Sequence, residues 1–419
     1  MSEEYRRAEF HWGIVMLKTR RFQPLMDRLG RYRVTGPLAW FALYLMPVAA
    51  AIALYLELTQ LGILLSPRGA QVAGYIRTLS PLANVLLPGI NPYLPIVYGW
   101  LAIFVGMVIH EGAHGIVARS LGFPVKSSGL MFFLFVPIGA FVEIDDKVLK
   151  SSRARDSGRV LGAGVGVNFV LGVVCLLLLF SVVSSMEPEE RGLAVVSVYR
   201  DSPQQHSPAY LAGLRPGDFI TAVNGVQIDD PLQVLNSSWY RPGQLINLTL
   251  WRGGQSVPVN NVRLASITVL DTKTNTTSVR AFLGVEDVGY STLKSRVSVY
   301  TTSFFRSPFL YFCIPTLPAC QSVVPFSDSM VMFYRSPLGT ALPAASNALY
   351  WLFFVNFNLA IFNALPIYPF DGGQAFEAGL RGLLGERWGG KLAAKLTTAT
   401  SLVAVTMILF IILGPYLVY

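Results

Sequence analysis

Residues 110–114 read His-Glu-Gly-Ala-His, a His-Glu-x-x-His element. On a helix, positions i and i+4 lie on one face, so His110 and His114 can reach one ion while Glu111 stands beside it. Zinc held there lowers the pKa of a water to about 7, and the glutamate serves as general base and then passes the proton to a leaving amine. In a soluble chain five residues would only be suggestive. Here they interrupt an apolar stretch, where a charged side chain costs on the order of 2.5–3.5 kcal/mol near the bilayer centre. The competing structural account is that these polar residues pair with neighbouring helices for packing.

Two histidines leave zinc short of a third protein ligand. Asp371 is the leading candidate. It follows Asn363-Ala364-Leu365-Pro366-Ile367-Tyr368-Pro369-Phe370 and precedes Gly372-Gly373. Two prolines three apart remove backbone donors, and a helix broken at membrane depth must face protein or a wet cavity. Glu143, close to Asp145 and Asp146, is the rival ligand, although a solvated interfacial cluster is the plainer account of those three acids.

The elements that carry these residues follow from composition. The chain has 419 residues, 53% apolar and 14% charged. Soluble domains carry about 25% charge, so the deficit points to lipid. The length fits roughly two or three domains. Five stretches are long and apolar enough to cross a bilayer, which takes about 20 residues. They are residues 38–56, 94–121, 160–186, a part of 336–370, and 396–419.

Orientation follows from the basic residues rather than from the net charge of +9. Eight Lys or Arg precede residue 37, and Arg119, Lys147, Lys150, Arg153, Arg155, Arg159, Arg381, Arg387, Lys391 and Lys395 fall on the same side of five alternating helices. That side is expected to be the cytoplasm. No removable signal peptide is expected either. Cys175, Cys313 and Cys320 are too few for a disulfide framework or a cysteine-based zinc module. Cys313 and Cys320 are either a disulfide outside the cytoplasm or two buried thiols.

Between the third and fourth spans, short β-rich runs alternate with turn residues. Examples are Val195, Val196 and Val198, then Ala212-Gly213-Leu214-Arg215-Pro216-Gly217-Asp218, then Phe219 to Gly225. The order of a β-rich run, Ser-Pro, a short helix ending Ala-Gly-Leu, Pro-Gly-Asp and a strand ending Val-Asn-Gly resembles a PDZ domain of the bacterial protease-associated type. Such domains bind extended peptides at a sheet edge. The alternative is a small β domain with another task.

The two chemical motifs, on two membrane helices with a PDZ-like insertion between them, resemble the site-2 protease family of intramembrane zinc metalloproteases. His110 to Arg119 matches the family's run from the first His to Ala-Arg, and Asn363, Pro366, Pro369, Asp371 and Gly372 keep its second spacing. The segment Gly162 to Asn168 is similar, more loosely, to a family segment with glycines before an Asn, and leaves the role of Asn168 open. The likeness covers roughly residues 95–390. Ala113 stands where the family often has Gly, and Phe370 where it often has Leu; neither change removes a ligand. The resemblance implies one Zn2+ per chain on His110, His114 and Asp371, Glu111 as catalytic base, and Asn363 orienting substrate or stabilising an oxyanion. It also implies a membrane-associated β hairpin after the zinc helix, for which Phe123 to Asp146 is the candidate. Gly112, Gly115, Gly162 and Gly166 are expected to permit close helix packing.

The expected architecture is a polytopic α-helical membrane protein with an inserted extracytoplasmic PDZ-like α+β domain. Its segments are a basic cytoplasmic stretch (1–36), the first transmembrane helix (37–66), the first part of the protease core (94–186), the PDZ-like domain (190–290), a membrane-proximal loop (291–335), the second part of the core (336–390) and the C-terminal helix (391–419). The expected activity is cleavage of transmembrane segments of single-pass membrane proteins; the family suggests membrane-tethered transcription regulators or anti-sigma factors as substrates. The bilayer is a partner and nucleic acid is not. The alternatives are a non-catalytic PDZ membrane adaptor and a different membrane zinc protease that uses Glu143 as ligand.

Overall fold

The computed structural model describes residues 8–417 apart from 12, 85–86, 134–135, 202–205, 231–239, 272–275, 304–305 and 307–312. The chain forms two units, Met1–Leu177 with Ala348–Tyr419, and Leu178–Asn347.

The first unit opens with β1 (Ala8–His11), β2 (Ile14–Thr19) and α1 (Gln23–Gly30), followed by α2 (Thr35–Leu65), α3 (Gly69–Thr78), α4 (Ile96–Ser120), β3 (Val125–Phe133), β4 (Val136–Ile144), α5 (Asp146–Ser151) and α6 (Ala154–Ser184). The second unit contains β5 (Glu187–Pro188), β6 (Leu193–Val198), α7 (Pro208–Leu211), β7 (Phe219–Val223), β8 (Val226–Gln227), β9 (Leu245–Arg252), β10 (Gln255–Arg263), β11 (Ala265–Asp271), β12 (Thr276–Phe282), β13 (Val285–Gly289), α8 (Tyr290–Ser303), α9 (Pro318–Gln321) and β14 (Tyr334–Arg335). The chain ends with α10 (Leu342–Ala364) and α11 (Asp371–Leu417), the latter broken at Gly385, where φ is 69°.

Among the described residues, five helical stretches are long and apolar enough to cross a membrane: Thr35–Leu65, Ile96–Ser120, Ala154–Ser184, Gly339–Ala364 and Gly390–Leu417. The packing of α2 inverts that of a water-soluble helix, whereas α10 buries large aromatics such as Tyr350, Trp351 and Phe353. On α2 the buried side is Ala39, Ala42, Met46, Ala49 and Ala53, while Leu38, Phe41, Tyr44, Val48 and Tyr55 point outward. Lipid is as apolar as leucine, so nothing drives large side chains inward, and small residues let backbones approach. Gly162 and Gly166 of α6 exploit this: a Cβ at either would press on Ala42 of α2.

Residues 8–30, expected as a basic stretch without assigned structure, are built into this unit. β1 and β2 extend the β3–β4 hairpin into a four-stranded antiparallel sheet, order β1-β2-β3-β4. Helix α1 packs on α4. Arg119 of α4 forms a two-pronged ion pair with Asp27 of α1, Nη2 to Oδ2 at 2.9 Å, and Gln23 Nε2 donates to the Val125 carbonyl at 2.8 Å. The run Ile14–Thr19 is a strand because β3 gives it a partner; Lys18 within it and Arg20 and Arg21 after it hid it in the sequence.

In the second unit an antiparallel sheet runs β10-β9-β7-β6-β13, with β8 on β7, and a separate β11–β12 hairpin leads into β13. Its core is apolar, from Leu193, Val195, Ile220, Val223, Ile246, Leu248 and Leu250. Asp218, 1% exposed, is held by Arg252 through two 2.7 Å bonds. The stretch expected as a loop holds α8, too short to span at 14 residues, and Cys313 is bonded to Cys320.

Candidate metal centre

His110 and His114 stand one turn apart on α4, with ring centroids 4.8 Å apart and planes at 80°. The third donor arrives from the other end of the sequence. After α10 the chain turns through Leu365 to Phe370 and enters α11 at Asp371. The two glycines that follow make this turn feasible. A Cβ on Gly372 would fall 2.1 Å from the Ala364 carbonyl oxygen, and one on Gly373 would fall 2.4 Å from the Ile367 carbonyl carbon. No side chain fits at either position, so the first turn of α11 lies against the end of α10.

Asp371 thereby comes to both histidines, with Oδ2 3.0 Å from His110 Nε2 and 3.3 Å from His114 Nε2. Zinc–donor bonds of about 2.0–2.1 Å in a tetrahedron separate donors by about 3.3 Å. The donor types suit zinc, and both histidine–aspartate separations are close to that spacing. Glu111 offers an oxygen within 4.8 Å of the ligand nitrogens of His110 and His114. Its Oε2 accepts from the Val142 amide of β4 at 3.0 Å. One carboxylate oxygen is thus tethered by the sheet, beside the two imidazoles.

Glu111 and Gly112 also border a cleft of about 560 Å³ between α1, α4 and one face of the sheet. Its walls include Leu25, Met26, Phe104, Val108, Leu130 and Val142. Gly112 meets nothing within 4 Å of a built Cβ, so it opens onto space; Gly115 packs on Met26, as expected of a close approach.

The structure sorts the remaining candidates. Glu143, the rival ligand, accepts from Ser127 Oγ at 2.6 Å and faces the Lys18 ammonium at 3.5 Å on the sheet. It shares no described contact with the histidines. Asp145 caps α5 by accepting from the amides of Lys147 and Val148. Those two bonds and the Lys126 ammonium hold its carboxyl below the ordinary range. Asn363 lies on the last turn of α10, and its side chain makes no described hydrogen bond with the cluster. Sequence reasoning left the role of Asn168 open and gave Gly164 none, yet both meet the imidazoles. The signal was there: residues 160, 164 and 168 are spaced by four on a helix.

The sequence matches Peptidase family M50 over residues 98–411. It is 26% identical over 216 residues to an uncharacterized protein of Methanocaldococcus jannaschii, covering 51% of this chain and 53% of that protein. It is 25% identical over 228 residues to the zinc metalloprotease RasP of Shouchella clausii, covering 54% and 50%. A membrane-bound transcription factor site-2 protease homolog of Arabidopsis thaliana is 27% identical over 224 residues, covering 52% and 41%. The matches span about half the length of these relatives or less.

Proposed function

Because the chain belongs to peptidase family M50, we propose that it is a site-2-type zinc metalloendopeptidase that cleaves membrane-anchored proteins within or beside their transmembrane segments. The observation that carries the proposal is the convergence of His110, His114 and Asp371 on one point with Glu111 at its side. Bound zinc supplies Lewis acidity, which acidifies a water and polarises the scissile carbonyl.

The chain's own groups supply the rest. Glu111 takes the proton of the attacking water and delivers it to the leaving amine, and the Val142 amide keeps its carboxylate in place. Asn363 brings an amide to orient the substrate or its oxyanion. A helical substrate hides its amides, so it must be held extended before attack; the sheet beside Glu111 is suited to that task.

The distribution of Lys and Arg supports a cytoplasmic N-terminus, which puts the second unit outside. We read its β-rich sheet as PDZ-like, with β13 at one end of the sheet to take an extended peptide. It would screen substrates, admitting those already trimmed on the outer side. Single-pass proteins such as membrane-tethered transcription regulators are the substrate class this implies. Deleting residues 192–288 should change which substrates are cut; equal cleavage of full-length and trimmed forms would remove the screening role.

The first test is elemental analysis of the purified chain. About one zinc per chain is expected, lost in His114→Ala, reduced in Asp371→Ala and retained in Glu143→Ala. A folded wild-type chain that takes up no supplied zinc would overturn the proposal.

A further inference from the structure

Three residues of α6, Val160, Gly164 and Asn168, form a stripe one helical turn apart and meet both imidazoles. The Val160 carbonyl lies 2.7 Å from His114 Nδ1. At Gly164 a Cβ would stand 2.5 Å from His114 Nε2 and 2.6 Å from His110 Nε2, so bare backbone is required there. Asn168 is fully buried at 0% exposure, and its amide nitrogen stands 3.2 Å from His110 Nδ1. Its Oδ1 has no partner among the described residues.

The two nitrogens of an imidazole are interdependent. A ring nitrogen that carries a proton cannot ligate a metal, so the bond made by one nitrogen sets what the other offers. For His114 the choice is made by Val160: a carbonyl can only accept, so Nδ1 carries the proton and Nε2 presents its lone pair. His110 faces no carbonyl. Its neighbour is an amide, whose oxygen and nitrogen exchange places on a half-turn. That turn puts Oδ1 against Nδ1, where it accepts the ring proton, and moves the amide nitrogen to the side that has no described partner.

We propose that Asn168 is a positioning residue whose Oδ1 accepts from His110 Nδ1–H, so that both histidines present Nε2 to the same ion. The inference rests on the zinc site read above and adds that α6 sets the tautomers of both α4 ligands. A neutral amide does this without placing another ionised group at membrane depth.

The test uses the full chain in detergent, with zinc affinity measured by chelator competition. Asn168→Leu is expected to weaken zinc binding about 10–100-fold, the usual effect of losing a partner behind a metal ligand. It should also change the visible absorption of the Co2+-loaded protein. Asn168→Asp restores an acceptor and should return both readouts toward wild type. In 15N-histidine spectra of the zinc-loaded wild type, His110 Nδ1 should be protonated. If Asn168→Leu does not fold, Asn168→Ala removes the same acceptor without adding an apolar branch and is read in the same way. Wild-type affinity and cobalt spectrum in the variant without an acceptor would overturn the inference, as would an aspartate variant as weak as the leucine one. Both results leave the zinc site standing. A wild type that binds no zinc would defeat the site itself.

Discussion

The buried side of α2, in the helical unit, and the core of the β-rich unit are built by opposite rules. In the unit that carries the candidate metal centre, the buried side of α2 is mainly alanine, with Met46, Glu57 and Leu64, and its outside is leucine, phenylalanine and tyrosine. In the β-rich unit the inside is leucine, isoleucine and valine, and the buried carboxylate of Asp218 is answered at once by Arg252. The difference lies in the solvent. Water expels large apolar groups, so they mark the core of the β-rich unit. Lipid does not, so the buried side of α2 can be small residues that let backbones approach, and the large side chains buried on α10, Tyr350, Trp351 and Phe353, are held by packing.

The sharpest way to break this comparison is to add a single carbon where the helical unit has no room. Gly164→Ala puts a methyl group among the imidazoles, and the purified protein should lose nearly all of its zinc while the β-rich unit keeps its hydrogen-exchange protection. Zinc retained at one per chain would show that the stripe on α6 yields, and that close packing does not define this site.

Core truncation should then separate the units in the opposite sense. Leu250, 0% exposed in the β-rich unit, should cost about 3 kcal/mol as Leu250→Ala. Leu402 of α11, 67% exposed, should change thermal stability by less than about 0.5 kcal/mol as Leu402→Ala. Equal losses would mean that the outer face of α11 is covered rather than facing lipid. The converse substitution, Ala49→Leu, enlarges a fully buried position on α2 and should destabilise the helical unit by about 2 kcal/mol, read as a lower midpoint of zinc loss on heating.

The smallest effect concerns pH and the β-rich unit. Burial pushes the Asp287 carboxyl above its ordinary value, and neighbouring Glu286 adds to the rise. It lines a cavity with Arg280 and Val285. A raised acid in the folded state binds its proton more tightly than in the unfolded chain. Its contribution is therefore complete below the ordinary carboxylate range and is lost as pH climbs through the raised value. Hydrogen exchange of β13, corrected for intrinsic rates, should show more opening across that rise. Asp287→Asn should flatten the dependence and stabilise the unit slightly at neutral pH; an unchanged slope would remove Asp287 as its source.

The spacing of His110, Glu111 and His114 was legible from the sequence because a helix turns each residue by a fixed angle, and so was the apolar length of the five spans. The carboxylate of Asp371 could be nominated from the prolines and glycines around it. That Asp371, and not Glu143, stands beside the histidines needed the fold, since separation along the chain says nothing about distance across it. The sheet was half legible: the Phe123–Asp146 hairpin was suggested by family likeness, whereas the two strands and the helix before Thr35 acquire structure only by pairing with that hairpin and with α4. Asn168 and Gly164 stood in plain sight on α6, but which face of a glycine-rich helix turns inward depends on the neighbours it meets. Local chemistry and periodicity therefore named the candidate groups, whereas the contacts of α6, α10 and the N-terminal strands decided how they are held.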